Sequence, residues 1–187
     1  MRTDECLAKL AEFRTDEVVI AAMTSAVLWP AHGSHPRDLI YVPSTMGGAP
    51  ALGLGLALAR PEVRVIVLNG DGSMLMSLGC LVSIAEQAPP NLALVVLDNG
   101  MYAVTGGQPT PGAGRIDFAQ MATAAGWRSA RRLATPDAWA AALPELLRAP
   151  GPHFAQLTVA PEPTAITPPP EPMGDRLARL SVALGKR

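Results

Sequence analysis

Two short motifs in the sequence carry oxygen ligands. Residues 70–73 read Gly-Asp-Gly-Ser, and Asp98 and Asn99 follow after a spacer of 25 residues counted from Gly72. The carboxylate of Asp71 and the amide oxygen of Asn99 are hard ligands suited to Mg²⁺ or Ca²⁺, and a metal held by so few protein groups normally shares phosphate oxygens. Ser73 is predicted to be the N-cap of a helix whose free N–H groups attract an anion. The two motifs therefore predict a site for a metal ion and a diphosphate.

The glycines of the first motif have a predicted role of their own. Gly70 and Gly72 lack a Cβ atom, so a ligand can approach the backbone closely and the turn can adopt a positive φ. We therefore expect both glycines to lie against the ligand.

The elements that must position these motifs are two buried strands. Residues 63–68 and 92–97 are nearly continuous runs of Val, Ile and Leu, which is the pattern of strands covered on both faces in a parallel sheet. Joined by the helix between them, they form a right-handed βαβ unit. The turns after both strands emerge at the carboxyl edge of the sheet, so Asp71 and Asn99 are expected to lie close together.

The rest of the chain extends this unit into one layered domain over residues 1–160. The pattern predicts a doubly wound α/β fold, in which a parallel sheet carries helices on both faces. The other predicted strands are 18–22, 40–43, 127–131 and 153–159, and the other predicted helices are 3–13, 47–60, 118–126 and 136–148. Residues 161–187 are predicted to be a proline-rich extension and a C-terminal helix, which either packs on its own domain or docks on a partner chain.

Composition argues against several classes of protein. The 187 residues are 49% hydrophobic and 17% charged, with a net charge of −1, so nothing favours nucleic acid or an anionic membrane as a partner. No apolar run reaches the ~20 residues of a membrane span, and residues 1–14 lack a signal peptide's apolar core, so a cytoplasmic protein is expected. The high apolar fraction suggests that another chain covers part of the surface. Cys6 and Cys80 are too few for a disulfide framework, a zinc site or an iron–sulfur cluster.

Two other patterns fail when their full motifs are compared. The Gly-x-Gly at residues 53–55 resembles part of a dinucleotide-binding fingerprint. That fingerprint needs a preceding strand and a small residue at its sixth position, but the sixth position here holds Leu58. Asn69 matches the start of an EF-hand loop, but that loop needs Gly at its sixth position and Glu at its twelfth. In this chain those positions hold Met74 and Cys80. Neither a nicotinamide nucleotide site nor an EF-hand is predicted.

The two oxygen-bearing motifs resemble those of thiamine-diphosphate enzymes. Residues 70–73, followed by Asp98 and Asn99, are similar to that family's diphosphate and metal motif, in which the pair consists of two asparagines. The resemblance implies that Asp71, Asn99 and the backbone carbonyl of Met101 hold Mg²⁺. Asp98 departs from the pattern, and this departure leaves the metal ligands unchanged.

Three further segments match the same family. Ser44 and Met46 belong to a segment that resembles the one supporting the bent cofactor between its two rings, and Met46 has the place of the supporting apolar residue. The family also holds the diphosphate with the turn after the first strand, which implies Thr24 and Ser25, although a role as an ordinary N-cap is equally open. The third segment is the loop after Asn99. In this loop the resemblance implies that Tyr102 contacts the cofactor and that Thr105 and Gln108 contact the substrate. The alternative is that these polar groups only close the loop on itself.

The resemblance also implies an activity and a partner. Residues 46–61 and 97–110 are similar to the β subunits of sulfopyruvate decarboxylases and to the carboxyl-terminal part of phosphonopyruvate decarboxylases. Such enzymes use a second domain with a glutamate that activates the cofactor, and we expect a separate α subunit to supply it, within a dimer of heterodimers. The implied reaction is decarboxylation of 3-sulfopyruvate or 3-phosphonopyruvate. The alternatives are an acetolactate-forming or acyloin-forming enzyme and a non-catalytic cofactor-binding module.

One loop leaves a question open. Residues 29–38 have the composition of a loop and contain His32 and His35. Either imidazole is able to act as an acid or base near neutral pH, but a solvated loop histidine is the commoner outcome. Both alternatives remain open from the sequence.

Overall fold

The computed structural model describes residues 1–162 and 170–185. Its strands are β1 (Val18–Ala21), β2 (Asp38–Ile40), β3 (Val65–Gly70), β4 (Leu92–Asp98), β5 (Met101–Tyr102), β6 (Gln108–Pro109), β7 (Ser129–Leu133) and β8 (His153–Thr158). Its helices are α1 (Thr3–Phe13), α2 (Thr24–Leu28), α3 (Gly48–Ala59), α4 (Asp71–Leu75), α5 (Cys80–Gln87), α6 (Phe118–Ala125), α7 (Pro136–Arg148) and α8 (Met173–Ala183). Short 3-10 helices span Trp29–His32 and Ala103–Thr105. Across the described ranges, no helix has the length and apolar character needed to cross a membrane.

Six of the strands form one sheet in the order β2-β1-β3-β4-β8-β7, and every neighbouring pair is parallel. The direction in which strands are added reverses between β1 and β3. β2 lies on one side of β1, and the chain then returns to place β3 and the later strands on the other side of β1. β5 and β6 form a small antiparallel hairpin outside this sheet. The predicted doubly wound α/β fold is confirmed.

Two hydrophobic layers cover the faces of the sheet. Alternate strand residues point to opposite sides, so Val65 and Val67 pack with α3, α5, α6 and α8, whereas Ile66 and Leu68 pack with α1, α2 and α7. The central strands β1, β3, β4 and β8 are buried on both faces. This double burial explains why their sequences are continuous apolar runs without alternation.

Some element boundaries differ from those predicted. β3 continues for two residues beyond its last branched apolar residue and ends at Gly70. β2 spans Asp38–Ile40 and not residues 40–43, and β7 begins at Ser129 and not at residue 127. Trp127 packs edge-on against Phe154 in the core and donates to the carbonyl of Leu81, so it belongs to the turn before the strand.

The C-terminal helix α8 packs on its own domain, which settles one of the open alternatives. Leu180 and Leu184 join the core beneath α3. Arg176 is 2% exposed, and its guanidinium donates to the carbonyls of Ile40 and Val42. The helix thereby covers the β2 edge of the sheet. Most of the proline-rich stretch, residues 163–169, lies outside the described residues.

Polar side chains at the amino edge of the sheet are bonded within the chain. The Nδ2 atom of Asn91, just before β4, lies 3.0, 3.0 and 2.7 Å from the carbonyl oxygens of Ala57, Arg60 and Val63. Asn91 thus joins the end of α3 to the strand, and its Oδ1 atom has no partner within the described part of the chain. These contacts hold the loop before β3 in place.

Candidate functional site

A cavity of about 330 Å³ opens at the carboxyl edge of the sheet, beside β1 and β3. Ligands of open α/β sheets bind at such a reversal of strand order. The predicted site residues that line the cavity are Thr24, Ser25, Ser44, Met46, Gly70, Asp71, Gly72, Ser73, Asn99, Met101, Tyr102 and Thr105. Gln108 is the predicted site residue that does not line it.

Asp71 is buried in the first turn of α4, directly after β3. Only 3% of its surface is exposed, and its Oδ2 atom accepts a hydrogen bond of 2.9 Å from the hydroxyl of Thr110. Burial raises the pKa of Asp71; the Thr110 hydrogen bond lowers it by a smaller amount, and the charge of Asp98 raises it again. A buried carboxylate of this kind is stabilised in its charged form by a neighbouring cation.

Thr110 is a site residue that no motif indicated. It is buried and lies in the irregular loop after Asn99, where its backbone N–H donates to the carbonyl of Gly100 at 2.9 Å. A threonine among glycines and prolines carries no sequence signal for such a contact. Its contact with Asp71 exists because the loop folds back over the end of β3.

Ser73 lies inside the first turn of α4 and is not its N-cap, so that prediction is wrong. β3 continues to Gly70, and Gly70 itself is the N-cap residue in an extended conformation. The hydroxyl of Ser73 accepts a hydrogen bond of 2.9 Å from the backbone N–H of Gly47. Ser73 therefore fixes the segment that carries Met46, and its contact with a diphosphate stays a prediction.

The glycines of the first motif do not adopt the positive φ that their lack of a side chain would allow. Gly70 has a φ of −99°, and Gly72 lies within α4. Space explains Gly72, because an added Cβ would lie 2.5 Å from Cε1 of the Tyr102 ring. A positive φ occurs instead at Gly47, which has a φ of 86° just after Met46. The absence of a side chain is therefore needed for packing at Gly72 and for conformation at Gly47.

The structure brings the three predicted metal ligands to one cavity. Asn99 follows β4, and its Oδ1 atom accepts a hydrogen bond of 3.0 Å from the backbone N–H of Met101. An amide oxygen has a second lone pair, so this bond leaves Asn99 able to bind a cation. Among the described residues, no three His, Cys, Asp or Glu side chains form a metal-binding group. The predicted set instead uses one carboxylate, one amide and one backbone oxygen, and its role stays a prediction.

The turn after β1 has an unusual backbone conformation at Met23. Its φ of 57° and ψ of −135° are rare for a residue with a side chain, and such strain is concentrated at functional sites. Met23 is the residue before α2, so the alternative in which Thr24 or Ser25 is the N-cap is wrong. The Ser25 hydroxyl donates to the carbonyl of Ala22 at 2.6 Å. Binding of a diphosphate by this turn stays a prediction.

The loop after Asn99 contains the hairpin of β5 and β6. The Thr105 hydroxyl donates to Oε1 of Gln108 at 3.0 Å, and Nε2 of Gln108 donates back to the Thr105 carbonyl at 2.8 Å. These two bonds close the loop on itself, and contact of Thr105 and Gln108 with a substrate stays a prediction. Tyr102 is half-buried against Gly72 and lines the cavity.

Asp98 has a partner on the far side of β4. Its Oδ2 atom accepts a hydrogen bond of 2.7 Å from Gln156, which is fully buried on β8 and also accepts from the backbone N–H of Ala119. Asp98 does not line the cavity. Asp98, which differs from the first Asn of the family's pair, therefore lies behind the cavity and does not line it.

His32 and His35 lie away from the cavity. Nε2 of His32 is 2.9 Å from Oδ1 of Asp4, and Nδ1 of His35 accepts a hydrogen bond from the backbone N–H of Arg37. Both border a separate hollow that includes Asp38 at the amino edge of β2. Their contacts are structural.

Asn69 is a second site residue that no motif indicated. It is the last residue before Gly70 and lines the cavity. Its exposed fraction is 0%, and neither Oδ1 nor Nδ2 has a hydrogen-bond partner within the described residues. The sequence offered one indication of this role, which is that Asn69 is a polar residue in an otherwise apolar strand.

The fold and this site define the class of the protein. Residues 22–157 match the family described as thiamine pyrophosphate enzyme, C-terminal TPP binding domain. Because the match covers most of the chain, the chain belongs to that family. The resemblance inferred from the two motifs is confirmed.

Within the family, the chain is similar to decarboxylases. It is 43% identical over 129 residues to the sulfopyruvate decarboxylase subunit beta of Methanothermobacter thermautotrophicus, and the match covers 68% of each chain. It is 40% identical over 153 residues to the phosphonopyruvate decarboxylase of Streptomyces viridochromogenes, which covers 81% of this chain and 38% of that relative. The matched region therefore covers well under half the length of the Streptomyces protein.

Solved structures share the fold. The benzoylformate decarboxylase of Polynucleobacter necessarius has a TM-score of 0.75 over 89% of this chain and 34% of its own, at 21% sequence identity. At this identity the likeness shows the fold alone.

Proposed function

We propose that this chain is the diphosphate-binding and magnesium-binding subunit of a thiamine-diphosphate-dependent 2-oxo acid decarboxylase that acts on 3-sulfopyruvate or 3-phosphonopyruvate. The observation that carries the proposal is the single cavity at the reversal of strand order, which all the predicted cofactor-binding residues line. The names of the two relatives support the substrate class.

The residues present fit the cofactor and the metal. Asp71, Asn99 and the carbonyl of Met101 would hold Mg²⁺, since all three offer oxygen and share one cavity. Thiamine diphosphate, when bound, supplies the electron sink that decarboxylation of a 2-oxo acid requires. The chain's own contribution is orientation: Thr110 holds the Asp71 carboxylate, and Ser73 holds the backbone of Gly47 beside Met46.

We also propose that an α subunit completes the site. Glu62 and Glu86 are exposed and do not line the cavity, so the activating glutamate is expected from a partner chain. Apolar side chains near the cavity support a covered surface, because Met46, Met76 and Val104 are between 37% and 55% exposed. The dimer of heterodimers, the unit boundary near residue 160 and the cytoplasmic location stay predictions.

The first test measures cofactor binding by calorimetry, with the full chain alone and together with the proposed α subunit. We expect uptake of thiamine diphosphate that depends on Mg²⁺, and a loss of affinity of at least about 100-fold in Asp71→Asn, because loss of even an outer contact to a metal costs 10–100-fold. Asp98→Asn is the matched control. It removes a carboxylate that faces Gln156 and should keep the Mg²⁺-dependent uptake. Equal binding by Asp71→Asn and the unchanged chain would refute the metal site.

The second test measures carbon dioxide release from 3-sulfopyruvate, 3-phosphonopyruvate and pyruvate. We expect release from one of the two acidic substrates when the partner is present, and none from the isolated chain. Turnover by the isolated monomer would refute the shared site. Formation of acetolactate or an acyloin from pyruvate would favour the alternative enzymes, and binding without turnover of any substrate would favour a non-catalytic module.

A further inference from the structure

The buried carboxamide of Asn69 needs a partner that the described chain does not supply. Buried polar side chains in folded proteins are nearly always hydrogen-bonded, but here both amide atoms lack a partner and the residue has no exposed surface. Exchanging the assigned oxygen and nitrogen does not remove the problem, because neither position has a bond. An unmet donor and acceptor at the wall of a cavity point to a ligand.

An apolar residue would serve the fold better at this position. Asn69 lies near the end of β3 and, by strand alternation, on the face of Val65 and Val67. Asparagine is unfavourable in strands, and burial of an unbonded amide lowers stability. A sequence that breaks a local rule in this way usually does so at a functional site.

Asn91 provides the contrast within the same chain. It is also buried, but its Nδ2 atom lies within hydrogen-bonding distance of three backbone carbonyls, those of Ala57, Arg60 and Val63. Its amide nitrogen is therefore explained by the fold, and that of Asn69 is not. Asn91 does not line the cavity.

We propose that Asn69 is a further ligand-binding residue, whose Nδ2 atom donates to an oxygen of the diphosphate. This inference rests on the proposed function. A neutral donor suits the position, because Asp71 already places a carboxylate two residues away and a second carboxylate would repel the anion. Hydrogen bonds to charged oxygens are among the stronger ones in proteins, so the contact offsets the unfavourable burial once the ligand is bound.

The test compares Asn69→Leu with the unchanged full chain by thermal unfolding and calorimetry, using Mg²⁺ with thiamine diphosphate, Mg²⁺ with inorganic pyrophosphate, and Mg²⁺ alone. Leucine has the same branched skeleton without the polar atoms. We expect the Tm without ligand to rise by about 2–6 °C, because the unmet amide is gone. The affinity for both diphosphate ligands should fall by about 10- to 100-fold. The opposite signs of the two effects distinguish a ligand contact from a structural one.

Asn91→Leu is the matched control, and we expect it to lower the Tm and leave the affinity of the folded protein unchanged. Binding by Asn69→Leu equal to that of the unchanged chain would overturn the inference, as would a lower Tm with intact binding. Asn69→Asp keeps the shape and adds a negative charge, so it should bind more weakly than Asn69→Leu; unchanged binding by this variant would also overturn the inference. If the unchanged chain takes up neither diphosphate ligand, with or without its partner, the proposed function itself fails.

Discussion

The two ends of the sheet differ in how completely the described chain bonds their buried polar side chains, although Oδ1 of Asn91 at the amino edge also lacks a partner there. At the amino edge, the buried side chains of Arg14 and Asp38 form an ion pair of 2.9 Å, and Arg14 also donates to the backbone carbonyl of Glu17. At the carboxyl edge, the side chain of Asn69 has no partner among the described residues, and Asp71 accepts one side-chain hydrogen bond from Thr110. The side chains are buried at both edges, so burial alone does not explain the difference.

The difference teaches which edge serves stability and which serves binding. Polar groups that are bonded within the chain fasten loops and helices to the strands, and they lower the free energy of the folded state without any ligand. Polar groups left without a partner cost stability until a ligand completes their hydrogen bonds. Changes at the amino edge should therefore lower the stability of the fold and leave ligand binding intact, whereas changes at the carboxyl edge should weaken ligand binding.

The largest effect on stability is expected from Arg14→Met at the amino edge. The variant leaves the carboxylate of Asp38 buried without its cation, which costs about 3–5 kcal/mol of the free energy of unfolding. It also removes the bond to Glu17 and the contact of the guanidinium with the ring of Trp29. Urea denaturation of the unliganded chain measures the loss.

Arg37→Met is the matched control for that variant. Arg37 pairs with Asp16, whose side chain is 71% exposed, and exposed pairs contribute no more than about 1 kcal/mol. A loss below about 1 kcal/mol in Arg14→Met would contradict the view that buried ion pairs hold the amino edge.

A smaller effect on stability, and a larger one on binding, is expected from Thr110→Val at the carboxyl edge. The two side chains have nearly the same shape, so unfolding should change by only about 1 kcal/mol. Asp71 loses the donor that orients its Oδ2 atom, and loss of such an outer contact weakens metal binding by about 10- to 100-fold. Calorimetry with Mg²⁺ and thiamine diphosphate measures the change. Thr110→Ser keeps the hydroxyl and should bind normally; equal binding by the valine variant would show that the contact does not orient Asp71.

The fold was predictable because it depends on long apolar runs. The strands around Ile66 and Val95 are buried on both faces, and this burial leaves a continuous hydrophobic signal. Boundaries were harder to predict, because they depend on tertiary contacts. β3 extends through Asn69 and Gly70, whose residue types are unfavourable in strands, because it stays paired with β4 as far as Leu97.

The candidate site was predictable where a motif supplies the residues and not where a loop supplies them. Asp71 and Asn99 follow strands whose order brings them together. Thr110 reaches Asp71 only because a hairpin folds back, and no periodic pattern records that path. Ser73 has the residue type of an N-cap, yet its hydroxyl bonds Gly47, a partner 26 residues away.

The smallest effect is expected from a pH series on Glu17→Gln, again at the amino edge. Glu17 is 3% exposed, and its carboxylate accepts hydrogen bonds from the backbone N–H groups of Thr15 and Asp16 and pairs with Arg148. Burial raises the pKa of Glu17, but the hydrogen bonds from the backbone and from Arg148 lower the pKa by more, so the net shift is downward.

Because the pKa of Glu17 is lower in the folded state than in the unfolded state, its carboxylate stabilises the fold at pH values above the unfolded pKa, near 4.3. This stabilisation is lost as the pH falls through the folded pKa. We expect Glu17→Gln to lower the free energy of unfolding at pH 7 by on the order of 1 kcal/mol, and the deficit to shrink as the solution is acidified below about pH 4. Urea denaturation between pH 7 and pH 3 measures both, with Glu12→Gln, at an exposed pair with Lys9, as the control. If the free energy of unfolding of the Glu17 variant and that of the unchanged chain follow parallel curves against pH, this carboxylate does not fasten the amino edge. Cofactor affinity at pH 7 should be the same in both proteins, because Glu17 lies at the end of β1 opposite to the cavity.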